Sequence, residues 1–297
     1  MVELIRRRGV LPLLKLSLGD RASVINLLTR EGLLVYIRGN LLVMPWLRAS
    51  SDKVLSRLGT RIRFRLVHYA RLEGSSQDMV LKCCEENVEE GLVVVADEIR
   101  GARGRMGRKW LAPRGGLWFS ILLTPDKRRF QLLSLTASLA VADALRLLGL
   151  NAGVKWPNDV AIGGRKVCGV LVESVVKGGE ICAAVGIGLN LNNPIPRELS
   201  NSAVSVSEVL GVNVPEGQLL RVILKKFDEL YWNPHMAIET WKRFSVTLGR
   251  RVRVYVPEGI LEGVAETIDS EGSLVIRCDE KRVRVHIGEV IHLREVE

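Results

Sequence analysis

The sequence predicts a central domain of α+β or α/β type, preceded by a short helix and hairpin and followed by a small, mostly β domain. Three observations lead there. From Val67 onward, apolar runs of strand length alternate with stretches of helical periodicity. After Leu248 the chain turns to short alternating strands, RVRVYV, GVAETID, SLVIRC, KRVRVHI and VIHL, separated by Gly-containing or charged turns. Ahead of Val67, a helical stretch from Ala22 to Arg30 precedes the apolar runs LLVYI and LLVMPW, which flank Arg38-Gly39-Asn40. The expected division is an accessory region over 1–66, a main domain over 67–246 and a small β domain over 247–297.

The N-terminal helix and hairpin are reminiscent of the last helix and wing of a winged-helix DNA reader. Too few residues precede them for the three-helix motif, so DNA is not expected as a partner. In the central domain, Ser75 and Ser76 can cap a helix running toward Glu90-Gly91, and Leu92–Ala96 reads as a buried strand. GLWFSILL, from Gly116 to Leu123, reads as another. Residues 132–148 are nearly all helix formers, end at Gly149, and are apolar almost all round, which predicts a buried helix. Three β-rich runs between Val160 and Leu189, separated by Gly163-Gly164 and Gly178-Gly179, predict an antiparallel meander. Helical stretches follow at Gly217 to Tyr231 and His235 to Phe244.

With 297 residues, 47% of them apolar, the chain has ample material for a core spread over two or three domains. Its five cysteines, Cys83, Cys84, Cys168, Cys182 and Cys278, show no C-x-x-C spacing and are expected to be reduced, in a cytoplasmic protein. The N-terminal apolar stretch is broken by Pro12 and Lys15, and no run approaches the roughly 18 to 20 apolar residues of a membrane span. Neither a signal peptide nor a membrane partner is expected. A net charge of +10 favours anionic partners.

The segment Arg100-Gly101-Ala102-Arg103-Gly104-Arg105-Met106-Gly107-Arg108-Lys109-Trp110 spaces three glycines at intervals of three among five cations. Its backbone can approach an anion closely and its charge can hold one, although it lacks the terminal G-K-[ST] of a P-loop. Next, Lys155-Trp156-Pro157-Asn158-Asp159 places amide and carboxylate oxygens, the donors magnesium prefers, after a rigid Trp-Pro pair. A two-residue turn at Gly163-Gly164 sets Ala161 opposite Lys166 and Asp159 opposite Cys168, with the Asp159 and Lys166 β-carbons roughly 7 Å apart on a diagonal. That pair fits either a metal-bridged phosphate or a surface ion pair. The turn at Gly178-Gly179 sets Gly169 opposite Gly188 and Leu171 opposite Gly186. The glycines leave a floor for a flat ligand, or mark bulges or tight packing. A simple register puts Lys166 on the other face from this floor, so a bulge near Val167 is needed for both to serve one site.

In order along the chain, Ser75-Ser76-Gln77, RGRMGRKW, KWPND, Lys166 with VCGVLVE, and GIGLNLN resemble the motifs of the biotin protein ligase family, over residues 67–297. The resemblance implies an α+β fold with a class II synthetase-like mixed β-sheet and flanking helices, ending in a small Src-homology-3-like β-barrel. It implies that biotin and magnesium-ATP give biotinyl-5′-AMP and pyrophosphate, and that a lysine of a biotin carboxyl carrier protein domain then displaces AMP. By resemblance, Arg103, Arg105 and Arg108 belong to a loop closing over the acyl-adenylate, with Lys166 and Arg105 stabilising carboxylate and α-phosphate oxygens. Gly104, Trp110, Asn158, Lys166 and Asn190 fall at nucleotide-binding positions, Asn158 and Asp159 at magnesium ligands, and Ser75, Ser76, Gly169, Leu171, Gly186 and Gly188 around biotin. A homodimer is implied as well. The chain departs from the family's usual glutamine at Ile99 and glycine at Ala102, where a β-carbon would restrict a loop needing positive φ. A lipoate ligase of the same architecture and a biotin-responsive DNA-binding regulator are the alternatives.

Overall fold

The computed structural model describes residues 52–257, 259–286 and 288–292, together with residues 10–12, 30, 33, 36–38, 41–43 and 47–50. The helix expected over Ala22 to Arg30 lies, apart from Arg30, outside the described residues. The expected hairpin is present as β2 (Tyr36–Arg38) and β3 (Leu41–Val43), and β1 (Val10–Pro12) adds a third antiparallel strand in the order β1-β3-β2.

The central sheet contains β4 (Arg65–Tyr69), β5 (Leu92–Ala96), β6 (Leu117–Leu123), β7 (Ala152–Lys155), β8 (Asp159–Ile162), β9 (Arg165–Lys177) and β10 (Glu180–Leu189). Their order is β4-β5-β6-β10-β9-β8-β7, with β4 and β5 parallel and the other neighbours antiparallel, so the sheet is mixed and the fold α+β. Helix α1 (Ser76–Glu85) covers one face; α2 (Lys127–Leu147), with α4 (Glu216–Tyr231) and α5 (Pro234–Phe244) packed on it, covers the other, and α3 (Val206–Leu210) is a short connector. The period of two in β5 shows why both faces are apolar. Val93 and Val95 join the core under α2, whereas Val94 and Ala96 join the core under α1.

Helix α1 starts at a capping box: Ser75 Oγ accepts the Gln77 N–H at 3.3 Å, and Asp78 Oδ2 accepts the Ser75 N–H at 3.1 Å. It stops at Glu85 rather than near Glu90, because Asn87 takes a φ of 56° and the Val88 N–H turns back to the Cys83 carbonyl. Helix α2 is long and apolar enough to cross a membrane by length and composition, but Leu133, Leu139, Val141 and Leu145 are fully buried in the core. Each such side chain contributes about 1.5–3 kcal/mol by leaving water.

The C-terminal strands are β11 (Arg251–Val256), β12 (Gly259–Ile268), β13 (Leu274–Cys278), β14 (Lys281–Val285) and β15 (Glu289–His292), in the order β14-β13-β12-β11-β15. Among the described residues the end strands β14 and β15 do not pair, so the expected barrel is an open antiparallel sheet. The Trp156 indole N–H donates to the Gly272 carbonyl at 3.0 Å and ties this sheet to the Trp-Pro segment.

The cysteine expectation is corrected. Cys84 on α1 and Cys182 on β10 form a disulfide with Cα atoms 6.0 Å apart across a separation of 98 residues. Both are buried where α1 crosses β10, a proximity that only the tertiary fold creates. Cys83, Cys168 and Cys278 are free, and burial pushes the Cys168 thiol well above its ordinary range.

Candidate active site

Strands β9 and β10 supply a strip of glycine. Gly169 pairs with Gly188 and Leu171 with Gly186, the register that the Gly178-Gly179 turn predicts. Ala184 of β10 lies in the core under α1 while Val185 and Ile187 face α2, so Gly186 and Gly188 belong to the α1 face. The bulge required near Val167 is present: β8 pairs Val160 with Cys168 and Ala161 with Lys166, leaving Val167 extra. Consecutive Val167 and Cys168 are both fully buried in the α2-side core, and Lys166 is thereby turned to the glycine face. The same bulge corrects the expected partner of Asp159, which is Gly169 and not Cys168.

Lys166 Nζ lies 2.7 Å from Asp159 Oδ1 and 5.2 Å from the centre of the Trp110 ring. A β-carbon built on Gly169 would stand 3.1 Å from Lys166 Nζ, which places the ammonium at one end of the strip. The floor is not bare, and here the flat-ligand expectation is corrected. A β-carbon at Gly188 would fall 2.8 Å from the Trp110 indole, and one at Gly186 would fall 2.7 Å from the Gln77 carboxamide. The glycines make room for these two side chains, and a ligand meets Trp110 and Gln77 rather than bare backbone.

The cationic segment is a tight hairpin. Arg103 bridges Lys109, the Trp110 N–H donates to the Ala102 carbonyl, and a turn over Arg105–Gly107 puts Met106 and Gly107 at φ of 57° and 70°. Ala102 is not among the residues of positive φ, so its β-carbon is compatible with this conformation. Arg103 donates to Glu173 Oε1 and Oε2 (3.1 and 2.9 Å) and to Asp78 Oδ1 (2.6 Å), anchoring the hairpin to β9 and α1. That pairing holds the Asp78 carboxyl below its ordinary range and raises the Arg103 guanidinium. Arg105 donates to Asn158 Oδ1 at 3.3 Å and to the Gly288 carbonyl at 3.1 Å, while exposed Arg108 folds back on the Arg105 carbonyl.

Asn158 donates its amide N–H to the Val170 carbonyl at 2.6 Å. With its oxygen facing Arg105, Asn158 is built as a brace between strand and hairpin, and a metal role would require Arg105 to leave. Asp159 retains a carboxylate that could join a magnesium shell completed by water and phosphates. Among the described residues no group of three or more His, Cys, Asp or Glu forms a cage. Asn190 directly follows β10; its N–H donates to the Val167 carbonyl and its Oδ1 accepts from Asn193, so it supports the bulge. Ser76 shares a 2.8 Å hydrogen bond with fully buried Ser120 at the head of α1.

Residues 70–192 match the model of the biotin/lipoate A/B protein ligase family, and residues 247–293 match the biotin protein ligase C terminal domain. The chain is 31% identical to the biotin--[acetyl-CoA-carboxylase] ligase of Mycobacterium tuberculosis over 242 residues, covering 76% of this chain and 88% of that protein. The chain belongs to the biotin protein ligases. It is also 28% identical to the bifunctional ligase/repressor BirA of Bacillus subtilis, over 82% of this chain and 79% of that one. Among solved structures, the Aquifex aeolicus biotin protein ligase in complex with biotin and ATP superposes with a TM-score of 0.65 at 29% identity, covering 78% of this ligase and 99% of that chain.

The structure therefore gathers Arg103, Arg105, Trp110, Asn158, Asp159, Lys166 and the glycine strip into one region of the ligase, with Ser75 and Ser76 on the adjoining wall. Three neighbours escaped the site prediction: Gln77 on the strip, and Asp78 and Glu173 holding Arg103. Asp78 had a signal, since Ser75-x-x-Asp78 is a capping box in its own right.

Proposed function

We propose that this ligase uses magnesium-ATP to convert biotin into biotinyl-5′-AMP and transfers the biotinyl group to one lysine of a biotin carboxyl carrier domain. The observation carrying this reading is the Lys166 ammonium at the end of the glycine strip, beside Trp110 and within reach of the arginine hairpin. A carboxylate oxygen of biotin attacks the α-phosphorus of ATP; the new P–O bond forms as the bond to the bridging oxygen breaks and pyrophosphate leaves. Two anions must meet in this step, and Lys166 and Arg105 are the cations placed to neutralise them. The carrier amine then forms a C–N bond at the acyl carbon, the C–O bond breaks, AMP leaves, and the amine proton passes to solvent. Magnesium would arrive with the phosphates and reduce their charge, with Asp159 as the carboxylate able to meet it. We place the enzyme in the cytoplasm as a homodimer. The Cys84–Cys182 bridge is compatible with that location because both residues are buried away from bulk thiols.

Purified protein given biotin and magnesium-ATP should release pyrophosphate, and with a carrier domain should add biotin to its lysine, read by intact mass. Consumption of lipoate or octanoate with biotin untouched would reject biotin in favour of a lipoate-type ligase. A second reading, ligand-responsive DNA binding, is favoured by the β1-β3-β2 sheet and by the similarity to bifunctional relatives. It requires saturable duplex binding that changes with biotin and ATP; no binding at low salt removes it.

A further inference from the structure

We infer that Asn193, which lies outside the expected site residues, is a positioning residue for the nucleotide: it fixes which end of the Asn190 carboxamide faces the site. The inference rests on the reading above, in which ATP binds beside Lys166 with Asn190 at a nucleotide-binding position.

A carboxamide has an accepting end and a donating end of nearly the same shape, so its neighbours decide which one a ligand meets. Here the decision starts at a backbone group that can only donate. Asn193 Oδ1 accepts the Leu191 N–H at 3.1 Å, which turns Asn193 Nδ2 toward Asn190 Oδ1 at 3.2 Å and the Pro194 carbonyl at 3.3 Å. The Asn190 oxygen is therefore occupied, and its Nδ2 is directed away from Asn193. Among the described residues that Nδ2 has no partner. Asn190 is only 6% exposed, yet this nitrogen is not sealed from solvent. A donor held in a largely buried side chain is stabilised when a ligand brings it an acceptor.

The position of Asn190 on the sheet identifies that ligand. Ile187 and Leu189 face α2, so position 190 continues the Gly186 and Gly188 side, where Trp110 lies. The Asn190 N–H reaches the Val167 carbonyl at 2.9 Å, next to Lys166 in the chain. The free donor thus stands at the Lys166 end of the strip, where ATP must meet the acid, and the base and phosphates of ATP are rich in acceptors.

The relay is firmly mounted. Asn193 is 3% exposed. The neighbouring Asn192 carboxamide accepts from the Val214 N–H at 2.8 Å and donates to the Val214 carbonyl at 2.9 Å, and the Asn192 N–H donates to the Gly115 carbonyl at 2.7 Å. Gly115, at a φ of 98°, lets the chain pass so close that a β-carbon there would stand 3.1 Å from the Asn193 backbone. Asn192 thus anchors the turn, Asn193 reads the Leu191 N–H, and Asn190 meets the nucleotide.

The test is steady-state adenylation by wild type, Asn193→Asp, Asn193→Leu, Asn190→Ala and the double variant Asn190→Ala/Asn193→Asp, with folding of each checked by circular dichroism. Asn193→Asp keeps an oxygen for the Leu191 N–H but sets a second oxygen against Asn190 Oδ1, so the Asn190 amide must turn over and offer ATP an acceptor. It should raise KM for ATP about tenfold, with kcat and KM for biotin within about twofold. Asn193→Leu leaves the Asn190 amide free to take either orientation and should raise KM for ATP about threefold. It replaces Asn193→Asp, alone and in the double variant, should the buried charge prevent folding. In the Asn190→Ala background no amide remains to be oriented, so the second substitution should change KM for ATP by less than about twofold. Full additivity in the double variant, equal shifts in KM for ATP and biotin, or an unchanged KM for ATP in the folded single variants would overturn the assignment. Failure of wild type to form an adenylate would instead reject the underlying reading, an outcome distinct from any behaviour of the variants.

Discussion

The two sides of this site are built by different means. The strip and its wall, formed by β9, β10 and α1, are fixed by strand ladders, burial and the Cys84–Cys182 bond. Lys166 belongs to this side: its N–H donates to the Ser202 carbonyl and its own carbonyl accepts from Val204. The arginine hairpin is held instead by side-chain pairs that remain partly in water, with Arg103 31%, Glu173 30% and Asp78 54% exposed. Such pairs contribute about 0–1 kcal/mol each. A few small terms of this kind can be exchanged for contacts to an anionic intermediate, whereas displacing the wall costs buried apolar area and a covalent link. On the proposed reading, Lys166, the cation that must be placed most accurately, stands on the fixed side, and the arginines proposed to close over the product stand on the exchangeable side.

Substitution on the fixed side should have the larger effect. Lys166→Ala is expected to slow adenylate formation roughly 100- to 1000-fold, the scale for losing one pre-placed electrostatic partner, with the melting curve little changed. Single-turnover pyrophosphate release measures it, and near-wild-type turnover would show that the essential cation lies elsewhere. Next is the staple. Replacing Cys84 and Cys182 by serine, or reducing the bond, should lower stability by about 2–5 kcal/mol for a link closing a loop near 100 residues. Denaturant midpoints with and without reductant would show it, and an unmoved midpoint would mean that packing alone holds the wall. On the strip itself, Gly188→Ala drives a methyl into Trp110, and overpacking of about 1–3 kcal/mol should raise KM for biotin around tenfold. An unchanged KM would mean that the indole is not part of the acyl site. On the lid, Arg105→Gly should slow adenylation by no more than about tenfold. It should also let adenylate escape to label bystander proteins, and unchanged selectivity in a mixed-protein assay would argue against a closing role.

Much of the fixed side was legible in the sequence, because two Gly-Gly turns set the register of three strands. The pairs Gly169–Gly188 and Leu171–Gly186 follow from counting, and the conflict between the faces of Lys166 and the glycines exposed the need for a bulge. Counting across that bulge misplaced Asp159 by one partner, since an extra residue displaces every pairing beyond it. What fills the strip was not legible. A glycine signals that room is needed without saying for what, and Trp110 and Gln77 arrive from segments far away in sequence. The disulfide was hidden for the same reason, and so was the anchoring of Arg103, whose partners Asp78 and Glu173 lie on separate elements.

That anchoring gives the mildest perturbation and a direct check on whether the lid is exchangeable. Asp78→Asn keeps an oxygen to accept the Ser75 N–H but removes one of the two charges facing Arg103, leaving Glu173 in place. A pair this exposed predicts about a two- to threefold faster release of adenylate at neutral pH, with KM for biotin unchanged. The wild-type pH dependence follows with a definite sign. The Arg103 hydrogen bond holds the Asp78 carboxyl below its usual value, so its contribution is complete above the unfolded value near pH 4 and is lost as pH falls through the lower folded one. Adenylate retention should therefore be flat with respect to this group from about pH 5 to 8, and the variant should converge on wild type only below about pH 4. If Asp78→Asn instead matched Lys166→Ala in severity, the hairpin would belong to the fixed side, and closure would have to come from another part of the molecule.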